Sequence, residues 1–231
     1  MYYQNLNLNS FHNILYVMKI GCVDMDSDKL WESMQNTWTV ESESVDKLKS
    51  TVKKDSILKI VKLVGECRGK IVVSGCGTSA AAAKKIVHSL CCVERPAVFL
   101  SPSDAVHGAL GLIQENDILI LISKGGNTGE LVNLIPACKT KGAKLIGVTE
   151  NTDSIIAKHA DVLLNIKVES EPCPFNMLAT ASTMAVVAAF DAICIALMHY
   201  SNYTREQFAL IHPGGAVGAR LLNGESEESR R

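Results

Sequence analysis

Two loops rich in glycine and hydroxyl side chains carry the residue types that bind phosphate. One loop reads VSGCGTS (73–79) and the other ISKGGNTG (122–129), and a helical pattern follows each of them. Glycine lets backbone amides approach a ligand, and amides at a helix N-terminus favour a phosphate group when hydroxyl donors lie beside them. We therefore predict that phosphate is bound by Gly77, Thr78, Ser79, Ser123, Lys124, Gly125, Asn127 and Thr128.

The same loops have a simpler interpretation, in which Thr78 and Thr128 cap helices and the glycines only turn the chain. The occurrence of two such loops after neighbouring predicted strands favours phosphate binding. Neither loop is a nucleotide fingerprint, because the GxGxxG spacing is broken in both and the lysine–hydroxyl pair of a P-loop is missing.

Three further residues have side chains suited to proton transfer. Glu171 follows the last predicted strand in the sequence ESEPCP, His212 precedes Pro213, and His107 lies in a short helical segment. Their sequence context is also compatible with a solvated loop acid and with two histidines that only pack or cap.

These residues are positioned by an alternation of strands and helices. Short β-rich segments, apolar on both faces, alternate with helical stretches: KIVVSGCG, PAVFL, DILILIS, AKLIGVT and ADVLLNI. Strands of this kind form a parallel sheet that helices cover on both sides. The sequence therefore predicts an α/β fold, a doubly wound five-stranded parallel sheet of flavodoxin-like type, with ligands bound beyond the carboxyl ends of its strands.

Helical patterns flank the sheet. Residues 27–66 have an amphipathic pattern, and residues 176–198 form a long apolar segment that we interpret as a buried core helix, because it contains Asp191 and many small residues. We expect residues 1–26 to be an extension, residues 27–223 to be the domain, and residues 224–231 to be a charged tail.

Composition excludes several classes of protein. The chain has 231 residues, a net charge of −1, 47% hydrophobic and 20% charged residues. It is thus a folded protein without the basic face that nucleic-acid binding needs. Eight cysteines without a C-x-x-C pair indicate buried, reduced thiols in a cytoplasmic protein, with no metal site. The N-terminal apolar stretch is too short and too polar for a membrane span or a secretory signal.

The loops GCGTS and ISKGGNTGE resemble those of the sugar isomerase (SIS) domain, which binds phosphosugars. The segments SPSDAVHGALG, ESEPCP and FALIHPGGAVG narrow the resemblance to D-arabinose-5-phosphate isomerases, over about Trp31 to Leu222. That resemblance implies an aldose–ketose isomerase that needs no cofactor and that supplies a precursor of the sugar acid Kdo for lipopolysaccharide or capsule. It also implies a homotetramer. Many such enzymes continue into CBS repeats, which we do not expect in this chain.

Residue by residue, the resemblance implies that Glu171 and His212 are catalytic and that His107 belongs to the site. It also implies that Ser79, Ser123 and Thr128 hold the phosphate. Two positions depart from the pattern: Thr78 replaces a lysine and Asn127 replaces a glutamate, and Lys124 is a candidate to restore the lost positive charge.

Isomerisation needs a carboxylate base near the reacting carbons and a second group that moves protons among oxygens. The leading hypothesis is interconversion of D-arabinose 5-phosphate and D-ribulose 5-phosphate through an enediol. The alternatives are an isomerase of another phosphosugar and a phosphosugar sensor that does not catalyse. The expected partner is a phosphosugar, and no nucleic acid or membrane is expected.

Overall fold

A computed structural model describes residues 26–214. The contacts divide the chain between Trp38 and Thr39 into two compact units. The predicted charged tail and all but the last residue of the predicted extension lie outside the described residues.

The second unit contains a five-stranded sheet in which every pair of neighbours is parallel. Its strands are β1 (Ile71–Gly75), β2 (Ala97–Phe99), β3 (Ile118–Ile122), β4 (Lys144–Thr149) and β5 (Val162–Asn165). The order is β2-β1-β3-β4-β5. This order confirms the predicted doubly wound fold and places its switch point between β1 and β3, where the chain leaves the two strands in opposite directions.

Helices join these strands. The two before the sheet are α1 (Ser27–Thr51) and α2 (Lys54–Gly65). Those between strands are α3 (Thr78–Cys91), α4 (Pro102–Ala105), a 3₁₀ turn (Ala109–Leu112), α5 (Gly129–Val132), α6 (Ile135–Thr140) and α7 (Ile155–His159). Two helices follow β5, namely α8 (Ala181–Tyr200) and α9 (Arg205–Ile211).

The two faces of the sheet carry separate apolar cores. Ile71, Val73 and Ile120 face the side covered by α2, α3 and α8. Val72 and Leu119 face the side covered by α4 to α7. Because successive side chains of a strand point to opposite faces, a continuous run of apolar residues fills both cores.

The long apolar helix is a core helix, as predicted, but it begins later than the sequence pattern indicates. It starts at Ala181 rather than at Asn176, because Asn176 has a positive φ of 54° and residues before Ala181 form a loop. By length and hydropathy α8 is the one segment within residues 26–214 that would suffice to span a membrane. Seven of its residues are buried, among them Phe190 and Leu197, and it packs on α2 and α3.

The cysteines agree with the prediction only in part. Seven of them lie within residues 26–214 and all seven are free thiols. Their predicted burial is wrong for most, since only Cys138 and Cys194 are buried and Cys91 is exposed. Cys22 lies outside the described residues.

The first unit ends within α1 and has its own aromatic contact. The rings of Trp31 and Trp38 meet edge to face with centroids 5.7 Å apart. Both side chains remain about half exposed, at 52% and 55%.

Candidate active site

A cavity lies at the carboxyl ends of β3 and β4 and beside the N-termini of α3 and α8. Six apolar side chains line part of it, namely Ala82, Ile122, Val148, Ile166, Ala179 and Val186. The remaining lining residues are polar or charged: Ser79, Ser123, Lys124, Thr149, Glu150, Ser182 and Thr183. This is the edge of the sheet at which a doubly wound fold binds its ligands.

The loop after β3 is held together by its own hydroxyl groups. Ser123 is 5% exposed. Its Oγ lies 2.9 Å from Thr128 Oγ1 and accepts a hydrogen bond of 3.0 Å from the amide of Gly126. Gly126 has a φ of 69°, and a Cβ there would come within 2.1 Å of Ser154 Oγ. The loop therefore requires glycine at this position, and the resulting turn brings the two hydroxyl groups together.

The loop after β1 leaves the N-terminus of α3 without a side-chain cap. Gly77 is the N-cap residue, with a φ of 56°, and no side chain caps the first turn. Thr78 is exposed and Ser79 is half-buried against the cavity. The first amides of this 14-residue helix are thus available to an anion.

The alternative in which the threonines cap the helices does not describe either loop. Thr78 is already the first residue of α3, so Gly77 takes the N-cap position. Thr128 is at the N-cap of α5, but its side chain makes no capping hydrogen bond. Its hydroxyl contacts Ser123 instead.

Glu171 is fully buried at the N-terminus of α8. Its Oε1 accepts a 2.7 Å hydrogen bond from Lys124 Nζ, and its side chain has 0% exposure. Its Oε2 accepts from the amides of Thr180 at 2.9 Å and Ser182 at 3.4 Å. The sequence alternative of a solvated loop acid is therefore wrong.

The electrostatic environment keeps Glu171 ionised. Burial alone would raise the pKa of this carboxyl group, but the hydrogen bonds from Lys124, Ser182 and Thr180 outweigh it and hold the pKa below its ordinary value. The positive end of the α8 dipole acts in the same direction. The site therefore holds a charged carboxylate without direct access to solvent.

The ESEPCP loop is built by its own hydrogen bonds. The amide of Glu171 donates to Asn176 Oδ1 at 2.6 Å. Cys173 Sγ accepts from the amides of Leu178 and Met177, both at 3.1 Å, and these bonds lower the pKa of the thiol. The loop closes on itself and thereby directs Glu171 towards the start of α8.

Three predicted phosphate ligands of the second loop have other contacts in this structure. The ammonium of Lys124 lies on Glu171, as described above. Asn127 Oδ1 accepts a 2.8 Å bond from the amide of Ile155, the first residue of α7. The exposed Gly125 accepts through its carbonyl from Asn151 Nδ2 at 3.4 Å.

The hydrogen bonds and the ring contact of His212 are with its own helix, α9, and not with Glu171. Its ring stacks on Phe208 with centroids 3.9 Å apart, and Nδ1 lies 2.8 Å from the Phe208 carbonyl oxygen. In the adjoining helix, α9, Gln207 donates to Glu94. Glu94 follows the C-terminal end of α3, whereas the cavity is at its N-terminus, about 20 Å away for a helix of 14 residues.

His107 is exposed in the turn between α4 and the 3₁₀ turn, where its amide donates to the Asp104 carbonyl. Within residues 26–214, neither His107 nor His212 forms a hydrogen bond or ion pair with Glu171, Lys124 or Ser123. In that same range, no group of three His, Cys, Asp or Glu side chains is arranged to hold a metal ion.

Sequence reasoning missed several residues of the cavity. Thr149 and Glu150 lie at the end of β4, and Ser182 and Thr183 lie in the first turn of α8. The signal that was available is their position, since the first residues beyond a parallel strand and the first turn of a helix both face this edge of the sheet.

The model of the SIS domain matches residues 66–196, and the chain belongs to this family. The chain is 36% identical to arabinose 5-phosphate isomerase KpsF of Escherichia coli O6:H1 and 39% identical to arabinose 5-phosphate isomerase KdsD of Pseudomonas aeruginosa. Each match covers 82% of this chain, which spans 58% of the length of either relative.

Two solved structures are similar over the same share of the chain. A Listeria monocytogenes protein named as a sugar-phosphate isomerase is 62% identical, with a TM-score of 0.81. A protein of E. coli CFT073 in complex with arabinose 5-phosphate is 29% identical, with a TM-score of 0.78. Each match covers 82% of this chain and 100% of the other. These similarities confirm the family resemblance seen in the loops.

Proposed function

We propose that this SIS-domain chain is an aldose–ketose isomerase that interconverts D-arabinose 5-phosphate and D-ribulose 5-phosphate. The observation that carries the proposal is Glu171, an ionised carboxylate held at a helix N-terminus immediately behind a cavity lined with hydroxyl groups. The names of the relatives support the choice of pentose phosphate.

The two loops would hold the phosphate group of the sugar. The uncapped amides of α3 and the hydroxyls of Ser79, Ser123 and Thr128 supply hydrogen-bond donors for its oxygens. A phosphate bound there would leave the carbonyl end of the open-chain sugar to reach towards Lys124 and Glu171.

Glu171 would act as the base that moves the proton between C1 and C2. It removes the proton from C2 of the aldose to give the enediol and returns it to C1 to give the ketose, so the carboxylate is regenerated. A substrate oxygen that attracts the ammonium of Lys124 would weaken the ion pair and raise the proton affinity of Glu171. In this way the base would become stronger only when substrate is bound.

His212 would serve a site in another copy of the chain. It follows α9, a helix that contacts Glu94 at the end of α3 remote from the cavity, which supports an arrangement in which the histidine reaches a neighbouring subunit of a homotetramer. Mixing inactive Glu171→Gln subunits with inactive His212→Ala subunits tests this. Partial return of activity in mixed oligomers is the expected result, and mixed oligomers without activity would refute the shared site.

The direct test is an isomerase assay of the purified protein with a panel of pentose and hexose phosphates, with free D-arabinose for comparison. We expect turnover of D-arabinose 5-phosphate, negligible turnover of the free sugar, and competition by inorganic phosphate. Equal rates for the two sugars would exclude phosphate recognition. Turnover of no sugar phosphate, with binding retained, would identify a sensor.

Ser123→Ala refines the phosphate assignment. Loss of this hydroxyl should raise KM and cost about 1–3 kcal/mol if it makes a charge-assisted hydrogen bond. Ser50→Ala is the matched control, because Ser50 lies on the exposed face of α1 and should leave KM unchanged. An unchanged KM in Ser123→Ala would remove this residue from the phosphate site.

A second candidate is isomerisation of another phosphosugar. Thr78 and Asn127 occupy positions at which arabinose-5-phosphate isomerases usually have a lysine and a glutamate. The side-chain oxygen of Asn127 already accepts a hydrogen bond from the first amide of α7. A preferred hexose phosphate in the same panel would establish this alternative.

We assign the reaction to the cytoplasmic synthesis of Kdo for lipopolysaccharide or capsule. Expression of this chain in a bacterium that lacks its own arabinose 5-phosphate isomerases should then restore Kdo. Failure to restore Kdo by an active enzyme would separate the pathway from the activity.

A further inference from the structure

We propose that Glu150 is a second catalytic carboxylate, which carries a proton between the two substrate oxygens while Glu171 serves the two carbons. The inference rests on the proposed isomerase function. It concerns a residue that lies outside both loops and outside the ESEPCP segment.

Hydrogen bonds fix the main chain of Glu150 from both sides. Its amide donates to the carbonyl oxygen of Lys124 at 3.1 Å. Its carbonyl accepts from Asn165 Nδ2 at 3.0 Å, and the same nitrogen donates to the Thr149 carbonyl at 2.9 Å. Glu150 is thereby held directly beside Lys124, at the carboxyl end of β4 and in the wall of the cavity.

The carboxylate of Glu150 is not engaged in holding the fold together. Lys124 and Glu150 are the two charged residues among those that line the cavity, and the ammonium of Lys124 is bound by Glu171. Across residues 26–214, no hydrogen bond or ion pair engages the Glu150 side chain. An unpaired carboxylate at this position is therefore available to exchange protons with a sugar bound in the cavity.

The reaction requires such a proton exchange. When Glu171 has taken the proton from C2, the hydroxyl proton on O2 must leave and a proton must reach O1. The Glu150 carboxylate can accept the proton from O2 and donate it to O1, so it ends in its starting state and no co-reactant is needed. Asn127 cannot perform this step, because an amide does not carry a titrating proton and its oxygen already binds the Ile155 amide.

The test uses the full chain in D₂O with D-arabinose 5-phosphate. For wild type, Glu150→Gln, Glu150→Asp and Glu115→Gln, both the isomerisation rate and the rate of deuterium incorporation at carbon are measured. Glu115→Gln is the control, because Glu115 is an exposed acid at the opposite edge of the sheet. Circular dichroism and the affinity for inorganic phosphate establish that each variant is folded.

We expect Glu150→Gln to isomerise about 100-fold more slowly while deuterium incorporation falls much less, since Glu171 still exchanges the carbon proton. Glu150→Asp should recover part of the rate, and Glu115→Gln should match wild type. An unchanged rate in Glu150→Gln, or an equal loss of isomerisation and exchange in folded protein, would overturn the assignment. A wild type that neither isomerises nor exchanges would instead overturn the proposed function, and the role of Glu150 with it.

Discussion

Two buried acids, one near the amino ends of the strands and one near their carboxyl ends, accept hydrogen bonds from the same kinds of group: one lysine and two backbone amides. Asp117, before β3, accepts from Lys70 Nζ at 2.6 Å and from the amides of Lys70 and Gln114 at 2.8 and 2.7 Å. Glu171 accepts from Lys124 Nζ and from two amides of the α8 N-terminus. Counted over the whole residue, the exposed fraction is 3% for Asp117 and 4% for Glu171.

The two acids differ in what lies beside them. Asp117 ties the start of β1 to the start of β3, and Gly69 approaches it so closely that a Cβ would come within 2.3 Å of Oδ1. Glu171 instead lies behind a lysine that lines the cavity. One lysine and two amides thus surround both a structural acid and a candidate base. What distinguishes the two acids is the edge of the sheet at which each lies, because ligands bind at the carboxyl ends of the strands.

The largest expected difference is in catalysis. Glu171→Gln should lower kcat by about 10²–10⁴-fold with little change in substrate binding, because the amide cannot accept the carbon proton. Steady-state kinetics with D-arabinose 5-phosphate measures this. The neighbouring Glu169→Gln is the control, since Glu169 is 78% exposed and should keep wild-type turnover. Normal turnover by Glu171→Gln would show that Glu171 is not the general base.

Asp117→Asn should show the opposite pattern. Loss of the charge should lower the free energy of unfolding by about 1–3 kcal/mol, because the amide leaves buried donors poorly paired. Urea denaturation measures the loss, and kcat should remain that of wild type. A large fall in kcat with unchanged stability would mean that the two edges of the sheet are not functionally distinct.

Replacing the lysine beside each acid should affect the pH dependence of catalysis differently. Lys124→Met should raise the pKa of Glu171, because it removes the strongest hydrogen bond to the charged form, and the acid limb of kcat/KM should move to higher pH. Lys70→Met removes the partner of Asp117 and should leave the pH profile unchanged. An acid limb that does not move in Lys124→Met would show that Glu171 does not set it.

The smallest expected effect is on the pH dependence of stability. Burial raises the pKa of both carboxyl groups, but their hydrogen bonds overcome it, so each folded-state pKa lies below the ordinary value. Each ionised group therefore stabilises the fold above its ordinary pKa, and this contribution is lost as the pH falls through the lowered value.

Denaturation midpoints measured between neutral and acid pH test this prediction. Asp117→Asn and Glu171→Gln should each have a flatter profile than wild type on acidification. A profile as steep as that of wild type in both variants would contradict the lowered pKa values.

The sequence alone is sufficient to predict the five strands of the sheet and the position of the hydroxyl-rich loops. Five apolar segments bounded by glycine, proline or aspartate predicted the strands, because burial on both faces leaves that pattern. The strand ends then predicted where Ser79 and Ser123 would lie. These features depend on local pattern and on the general rule for parallel sheets.

The burial and the hydrogen-bond partners of Glu171 could not be predicted from the sequence. Its burial depends on the turn at Asn176 and on contacts with Lys124 and Thr180, which come from distant or irregular parts of the chain. The late start of α8 has the same cause, since the residues before Ala181 have helical composition but close a loop. Glu150 was missed because no motif marks it.

The edge-to-face pair in α1 has a spectroscopic consequence. Trp31 and Trp38 are the two tryptophans of the chain, and both belong to the first unit. Tryptophan fluorescence therefore reports on the surroundings of two side chains in the first unit, whereas the strands and helices of the second unit dominate the far-ultraviolet dichroism. Denaturation curves from the two signals would coincide if the units unfold together and would separate if they do not.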